Sequence, residues 1–311
     1  MTQSLLDRFE CWPALPLNSW KDTCATLHMW TQIVGKVRLA LTPLVNHWWN
    51  VPLYVSARGL TTSSIPYGRG SFELSFDFID HQLVLHSSDG LVKTLPLTSR
   101  TVADFYHDVM QMLRSAGIEV HIWKMPVEIA DPIPFDQDTV HGSYDPERAQ
   151  TFWRILTTVE HIFNEFRSGF MGKSSPVHFF WGSFDLAVTR FSGRPAPPRP
   201  GADVITREAY SHEVSSVGLW PGGGNIDGPA FYSYAAPEPQ EFREARVQPD
   251  AAHYDTQLGE FILMYDDARK LPSPSAALMN FCHSTYVAAA TLGKWDRKAL
   301  ERQSELAAKL A

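Results

Sequence analysis

Cysteine is scarce. Cys11, Cys24 and Cys282 are the only three in 311 residues, an odd number with no repeated short spacing. That pattern excludes a disulfide framework and a thiolate metal site, and fits buried thiols in a reducing cytoplasm, the expected location. Concentrated positive charge is missing as well: the net charge is −7 and no Lys/Arg run exceeds two residues. A surface that tracks phosphates needs clustered cations, so nucleic acid is not an expected partner. No stretch approaches the roughly 20 apolar residues of a membrane span, and no membrane association is expected. The opening MTQSLLDRFECW sets acids beside its one Arg and is not read as a signal peptide. GxSxG, HExxH, paired CxxC and GxGxxG motifs are all absent. Gly218–Gly224 (GLWPGGG) is glycine-rich, but its Trp and Pro make it a poor phosphate loop. The sequence therefore names no cofactor.

Apolar residues, in contrast, are plentiful. They make up 44% of the chain, and ten Trp and eighteen Phe supply bulk for a large core. The length suggests two domains, or one domain made of two similar halves. Residues 1–17 read as an irregular arm, and a helix follows from Ser19 to Leu41, with Ser19 and Asp22 spaced as a capping box. Leu27, Trp30, Val34, Val37 and Leu41 form its apolar stripe. Trp48–Arg58 reads as a strand. Ser71–Asp80 alternates so that Phe72, Leu74, Phe76 and Phe78 share one face, which implies an antiparallel sheet with one face covered. Strands at Gln82–His86 and Leu91–Leu97, a helix at Thr101–Ala116 and a strand at Ile118–Trp123 follow, then a proline-interrupted connection over 124–142.

The order then repeats. Asp145-Pro146 opens a helix. Val177–Arg190 (VHFFWGSFDLAVTR) reads as a long buried strand broken only by Gly182, and Arg194–Gly201 as an extended loop. Thr206–Gly218, Ala230–Ala235 and Glu260–Tyr265 read as strands, with Pro221–Gly228 as a turn. Ser273-Pro274 opens a helix to Gly293, and Asp296–Ala311 is a final amphipathic helix. The expected fold is α+β: helix–antiparallel sheet–helix units internally duplicated about a pseudo-twofold, with halves at 18–123 and 145–293 and an added C-terminal helix at 294–311.

Several polar residues exceed what packing needs. Asn46–Gly59 (NHWWNVPLYVSARG) repeats the grammar of Val177–Arg190, setting His47 against His178, Trp49 against Phe180 and Arg58 against Arg190. A shared site at the pseudo-twofold would bring these together; the plainer reading is that each His is an interior residue bonded to backbone. In Arg207–Ser216 (REAYSHEVSS), a strand would put Glu208 and His212 ~13 Å apart, too far for one metal ion. A helix would put them on one face as a ligand pair, but the Val-Ser-Ser-Val ending favours the strand. His212 can still join His47 or His178 from a neighbouring strand. Asp185, on the face of Trp181 and Ser183, needs a partner such as Arg58 or Arg190.

Four stretches, Thr26–Leu41, Asn46–Thr62, His178–Arg194 and Glu208–Ser216, together resemble a bacterial protein family known as domain of unknown function 5996. The resemblance covers nearly the whole chain, implies close relationship, and carries no activity or functional residue with it. The residues themselves point to a small anionic or planar ligand in an aromatic pocket between the halves, lined by Trp48, Trp49, Phe180, Trp181 and Tyr210. His47, His178, His212 and Asp185 would then move protons or orient the ligand, and Arg58 or Arg190 would meet an anion. Two rivals stand beside this reading. One is a metal-dependent enzyme using the histidines with Glu208 or Glu213; the other is an interaction protein without a small-molecule site, docking a partner or a second subunit through Leu300, Leu306 and Leu310.

Overall fold

A computed structural model describes residues 11–223 and 226–302. It is α+β, and its sheets are antiparallel. The chain divides into two compact units. The first comprises Met1–Val45, Trp49–Thr157 and His178–Asp185; the second comprises Asn46–Trp48, Thr158–Val177 and Leu186–Ala311. Among the described residues, no helix is long and apolar enough to cross a membrane.

In the first unit, helix α1 (Lys21–Leu41) buries the expected stripe except its last member: Leu27, Trp30, Val34 and Val37 are 0–1% exposed, and Leu41 is half-buried. The expected capping box does not form. Trp20 occupies the cap position, and the Ser19 hydroxyl instead donates to the Pro16 carbonyl at 2.7 Å. The sheet contains β1 (Tyr54–Ser56), β2 (Gly59–Thr61), β4 (Gly70–Asp77), β5 (Gln82–Ser87) and β6 (Val92–Pro96) in that order, with β3 (Ile65–Tyr67) also paired to β4. Register follows the alternation, Leu74 opposite Leu85 and Phe76 opposite Leu83. Helix α2 (Val102–Ser115) is capped by Thr101, whose hydroxyl accepts from the Asp104 amide. Trp30 stacks on Phe105 at 4.4 Å, joining α1 to α2 in the core.

Three strand expectations fail here. Trp48–Arg58 is mostly not a strand: residues 46–48 form a 3-10 turn, His47 and Trp48 have φ of 59° and 60°, and extended structure starts only at Tyr54. Ile118–Trp123 is irregular, and its Glu119 amide donates to the Tyr67 hydroxyl at 2.8 Å in place of a strand partner. Val177–Arg190 is not one strand. It comprises β7 (His178–Phe180) and β8 (Asp185–Pro195), separated by a turn at 181–184 in which Phe184 has φ of 58°. The break is held locally, because the Gly182 carbonyl accepts from His28 Nε2 at 2.8 Å. Within this unit β7 meets the 49–56 stretch through reciprocal 2.9 Å bonds between Leu53 and Phe179.

Helix α3 (Pro146–Ser168) begins in the first unit and ends in the second. In the second unit β8 pairs with β9 (His212–Trp220), followed by β10 (Ala230–Ala236), β12 (Glu260–Met264) and β11 (His253–Asp255). Helices α4 (Val204–Ala209), α5 (Tyr265–Arg269), α6 (Pro274–Leu292) and α7 (Arg297–Leu300) complete it. The final helix is shorter than expected. After α7, Glu301 is extended and bridges Phe170, while the Leu300 carbonyl accepts from the Met171 amide at 2.7 Å. Leu306 and Leu310 lie outside the described residues.

Candidate functional site

The cluster with the most chemistry forms in the second unit, around a residue placed by an unusual backbone. His47 and Trp48 both take left-handed conformations, which a non-glycine residue adopts only when its surroundings impose them. The imposing element is α4. Asp203 caps it by accepting from the Ile205 and Thr206 amides at 2.8 and 3.0 Å, and it also receives the Thr206 hydroxyl. This cap makes 204–209 helical, so Glu208 lies on a helix and not on the expected strand, and only His212 starts the strand β9. The sequence carries the signal as Asp203 three residues before Thr206, overridden by the β-branched run that follows.

Glu208 then holds His47 at two points. Its carboxylate accepts the His47 amide at 3.2 Å, and its carbonyl lies 3.0 Å from Nδ1. A carbonyl only accepts, so Nδ1 carries the proton and Nε2 presents its lone pair. Lys173 Nζ sits 2.5 Å from that Nε2 and donates to it. His47 is buried, its ring rests 4.7 Å from Phe191, and the edge of His212 stands 5.7 Å away. Burial first, and then electrostatic repulsion by Lys173, lower its pKa below the ordinary imidazole value, so it is neutral near pH 7. Burial also lowers the Lys173 ammonium below the usual lysine range.

Tyr210 follows α4 directly. Its hydroxyl is 2.9 Å from that of Tyr234, and the Arg199 guanidinium lies 4.0 Å over its ring. Glu213 points elsewhere, pairing with Arg194 at 2.6 Å. Two residues singled out from the sequence, His47 and His212, thus meet in one neighbourhood with Glu208, and Tyr210 follows at the end of α4. Lys173 joins them without any forewarning, because a lone lysine after a Met-Gly turn has no distinguishing pattern.

The other expected site residues lie elsewhere. His178 belongs to the first unit, fully buried, with the rings of Trp49, Tyr54 and Phe180 edge-on to it at 5.9, 5.6 and 5.4 Å. Trp181 is buried and donates Nε1 to the Val51 carbonyl at 2.8 Å. Asp185 opens β8 and accepts from the Ser183 hydroxyl; its charge, after burial, helps raise the Glu128 carboxyl above its ordinary range. Arg58 is half exposed and pairs with Asp77 and Asp80 at 2.5 and 2.6 Å. Arg190 of the second unit is 2% exposed inside an aromatic box, 3.5 Å over Phe166 and 4.3 Å over Tyr286, and it donates to the Phe166 carbonyl at the end of α3. That placement gives it a helix-terminating role. Along α1 runs a polar stripe, His28, Gln32 and Lys36, of which Gln32 and Lys36 are buried. Gln32 exchanges two 2.9 Å bonds with the Val127 backbone, and Lys36 donates to the Met125 carbonyl at 2.6 Å beneath the Trp123 ring.

Among the described residues no three His, Cys, Asp or Glu side chains are grouped as metal ligands. A groove of about 670 Å³ lies along α6 and contains none of the candidate residues. The model of the family of unknown function DUF5996 matches residues 12–302. The chain belongs to that family. Membership extends over both units, so the cluster around His47 lies wholly within the shared part of this family member. No curated protein and no solved structure matches the chain.

Proposed function

We propose that this protein binds a small anionic ligand, a carboxylate or phosphate, at the Lys173–His47–His212 cluster of the second unit, with the Tyr210 ring as a flat surface for a planar part. One observation carries the reading: an exposed lysine donates to a neutral, buried imidazole whose tautomer is fixed by the Glu208 carbonyl. The bond sets the ammonium at a fixed point beside two histidines, and the exposure of the lysine lets an anion reach it from solvent. The strained His47 backbone supports a functional placement, because such conformations gather at sites of binding and catalysis.

Calorimetric titration of the whole chain with inorganic phosphate and with benzoate at pH 7 tests the reading. Lys173→Met and His212→Ala are expected to weaken binding by at least about tenfold, a loss of about 1.4 kcal/mol. An affinity unchanged in Lys173→Met would defeat the proposal.

A further inference from the structure

We infer that Lys173 is a nucleophilic amine that condenses with the carbonyl group of an anionic aldehyde or keto acid, with His47 as its proton acceptor. The inference rests on the ligand site proposed above and names the substrate class that site would take. Two observations suit a lysine to this chemistry. Its amine must be within proton-transfer reach of a base, and Nζ of Lys173 lies 2.5 Å from the lone pair of His47 Nε2. It must also be open to substrate, and Lys173 is exposed, unlike Lys36, whose amine is buried under Trp123. The environment lowers the basicity of the amine through burial near Nζ and so raises the neutral fraction that can attack. The imidazole is oriented as an acceptor, since Nδ1–H is bonded to the Glu208 carbonyl, which turns Nε2 and not Nδ1 toward the amine.

The step balances without any further reagent. The ammonium proton passes to Nε2, and the neutral amine attacks the carbonyl carbon. A C–N bond forms while the C=O pair moves to oxygen, and a proton from nitrogen gives the carbinolamine. The imidazolium then returns its proton to the hydroxyl, which leaves as water while nitrogen's lone pair closes the protonated imine. One carbonyl and one ammonium give one iminium and one water.

The experiment uses glyoxylate, the smallest anionic aldehyde, with cyanoborohydride to trap the adduct, and peptide mapping to rank the lysines. Lys173 is expected to be labelled at least about tenfold faster than the exposed Lys294 and Lys298. His47→Asn removes the basic imidazole while tolerating a positive φ, since Asn is enriched in that region. It is expected to slow Lys173 about tenfold and leave Lys294 and Lys298 unchanged, with an unaltered circular dichroism spectrum showing that the variant is folded. Labelling of Lys173 no faster than the exposed lysines, or equal rates in His47→Asn, overturns the inference. The two readings separate cleanly. Phosphate binding lost in Lys173→Met together with slow labelling removes the imine chemistry alone, whereas fast, His47-dependent labelling without any anion binding removes the ligand proposal and leaves the dyad.

Discussion

His28 sets an acid limit on stability that can be measured directly. Its ring stacks on Phe184 at 4.9 Å, and Nε2 donates to the Gly182 carbonyl at 2.8 Å. Burial outweighs the hydrogen bonds to the Gly182 and Trp181 backbone and lowers the imidazole from 6.5 to about 4. The unfolded chain therefore takes up this proton near pH 6.5, while the folded chain does so only near 4. Above 6.5 neither form is charged and the full stability is present; as pH falls from 6.5 towards 4, the unfolded state binds more protons and stability is lost. At 1.36 kcal/mol per pKa unit, a difference of about 2.5 amounts to about 3 kcal/mol, an upper figure because the ring keeps some contact with solvent. His28→Gln retains a neutral donor toward Gly182 and removes the titration. Urea unfolding followed by tryptophan fluorescence, run at several pH values between about 4 and 7, should show the wild-type chain losing about 2–3 kcal/mol more than the variant on acidification. Parallel pH curves for the two proteins would refute the argument.

Two further outcomes follow from packing and capping. A Cβ at Gly35 would lie 2.2 Å from Trp181 Cδ1, so Gly35→Ala must displace the indole and break its bond to Val51; a destabilisation of about 2–3 kcal/mol is expected, and an unchanged urea midpoint contradicts it. Asp203→Ala removes the cap of α4 at a cost of about 1 kcal/mol and should shift the His47 ring resonances in NMR; resonances that stay put would mean that α4 does not position His47.

Legibility in the sequence follows the range of the forces involved. Helices with a periodic apolar stripe and a terminal signal, such as α2 after Thr101 and α6 after Ser273-Pro274, can be read because their determinants are local. So can the β4–β5–β6 run, where alternation alone fixes which side is buried. The 46–48 turn cannot. Its aromatic, β-rich neighbourhood favours a strand, and the left-handed backbone at His47 is imposed by Glu208, 161 residues away. Gly182 reads as a flaw in a strand because the contact that makes it a turn comes from His28 on α1. His47 and His212 are legible as polar residues exceeding packing needs; what they gather around is not, since Lys173 enters from a segment with no periodic signature.

Residues 46–48 belong to the second unit although the chain on both sides of them belongs to the first. Dissection of the gene therefore cannot isolate the proposed site. A fragment beginning at α3 would contain Lys173, Glu208 and His212 but not His47, the imidazole that Lys173 contacts. Recombination between relatives meets the same obstacle, because a swapped carboxy-terminal segment inherits its histidine from the other parent. A chimaera keeps this cluster only if residues 46–48 and the segment from Lys173 to His212 come from the same parent.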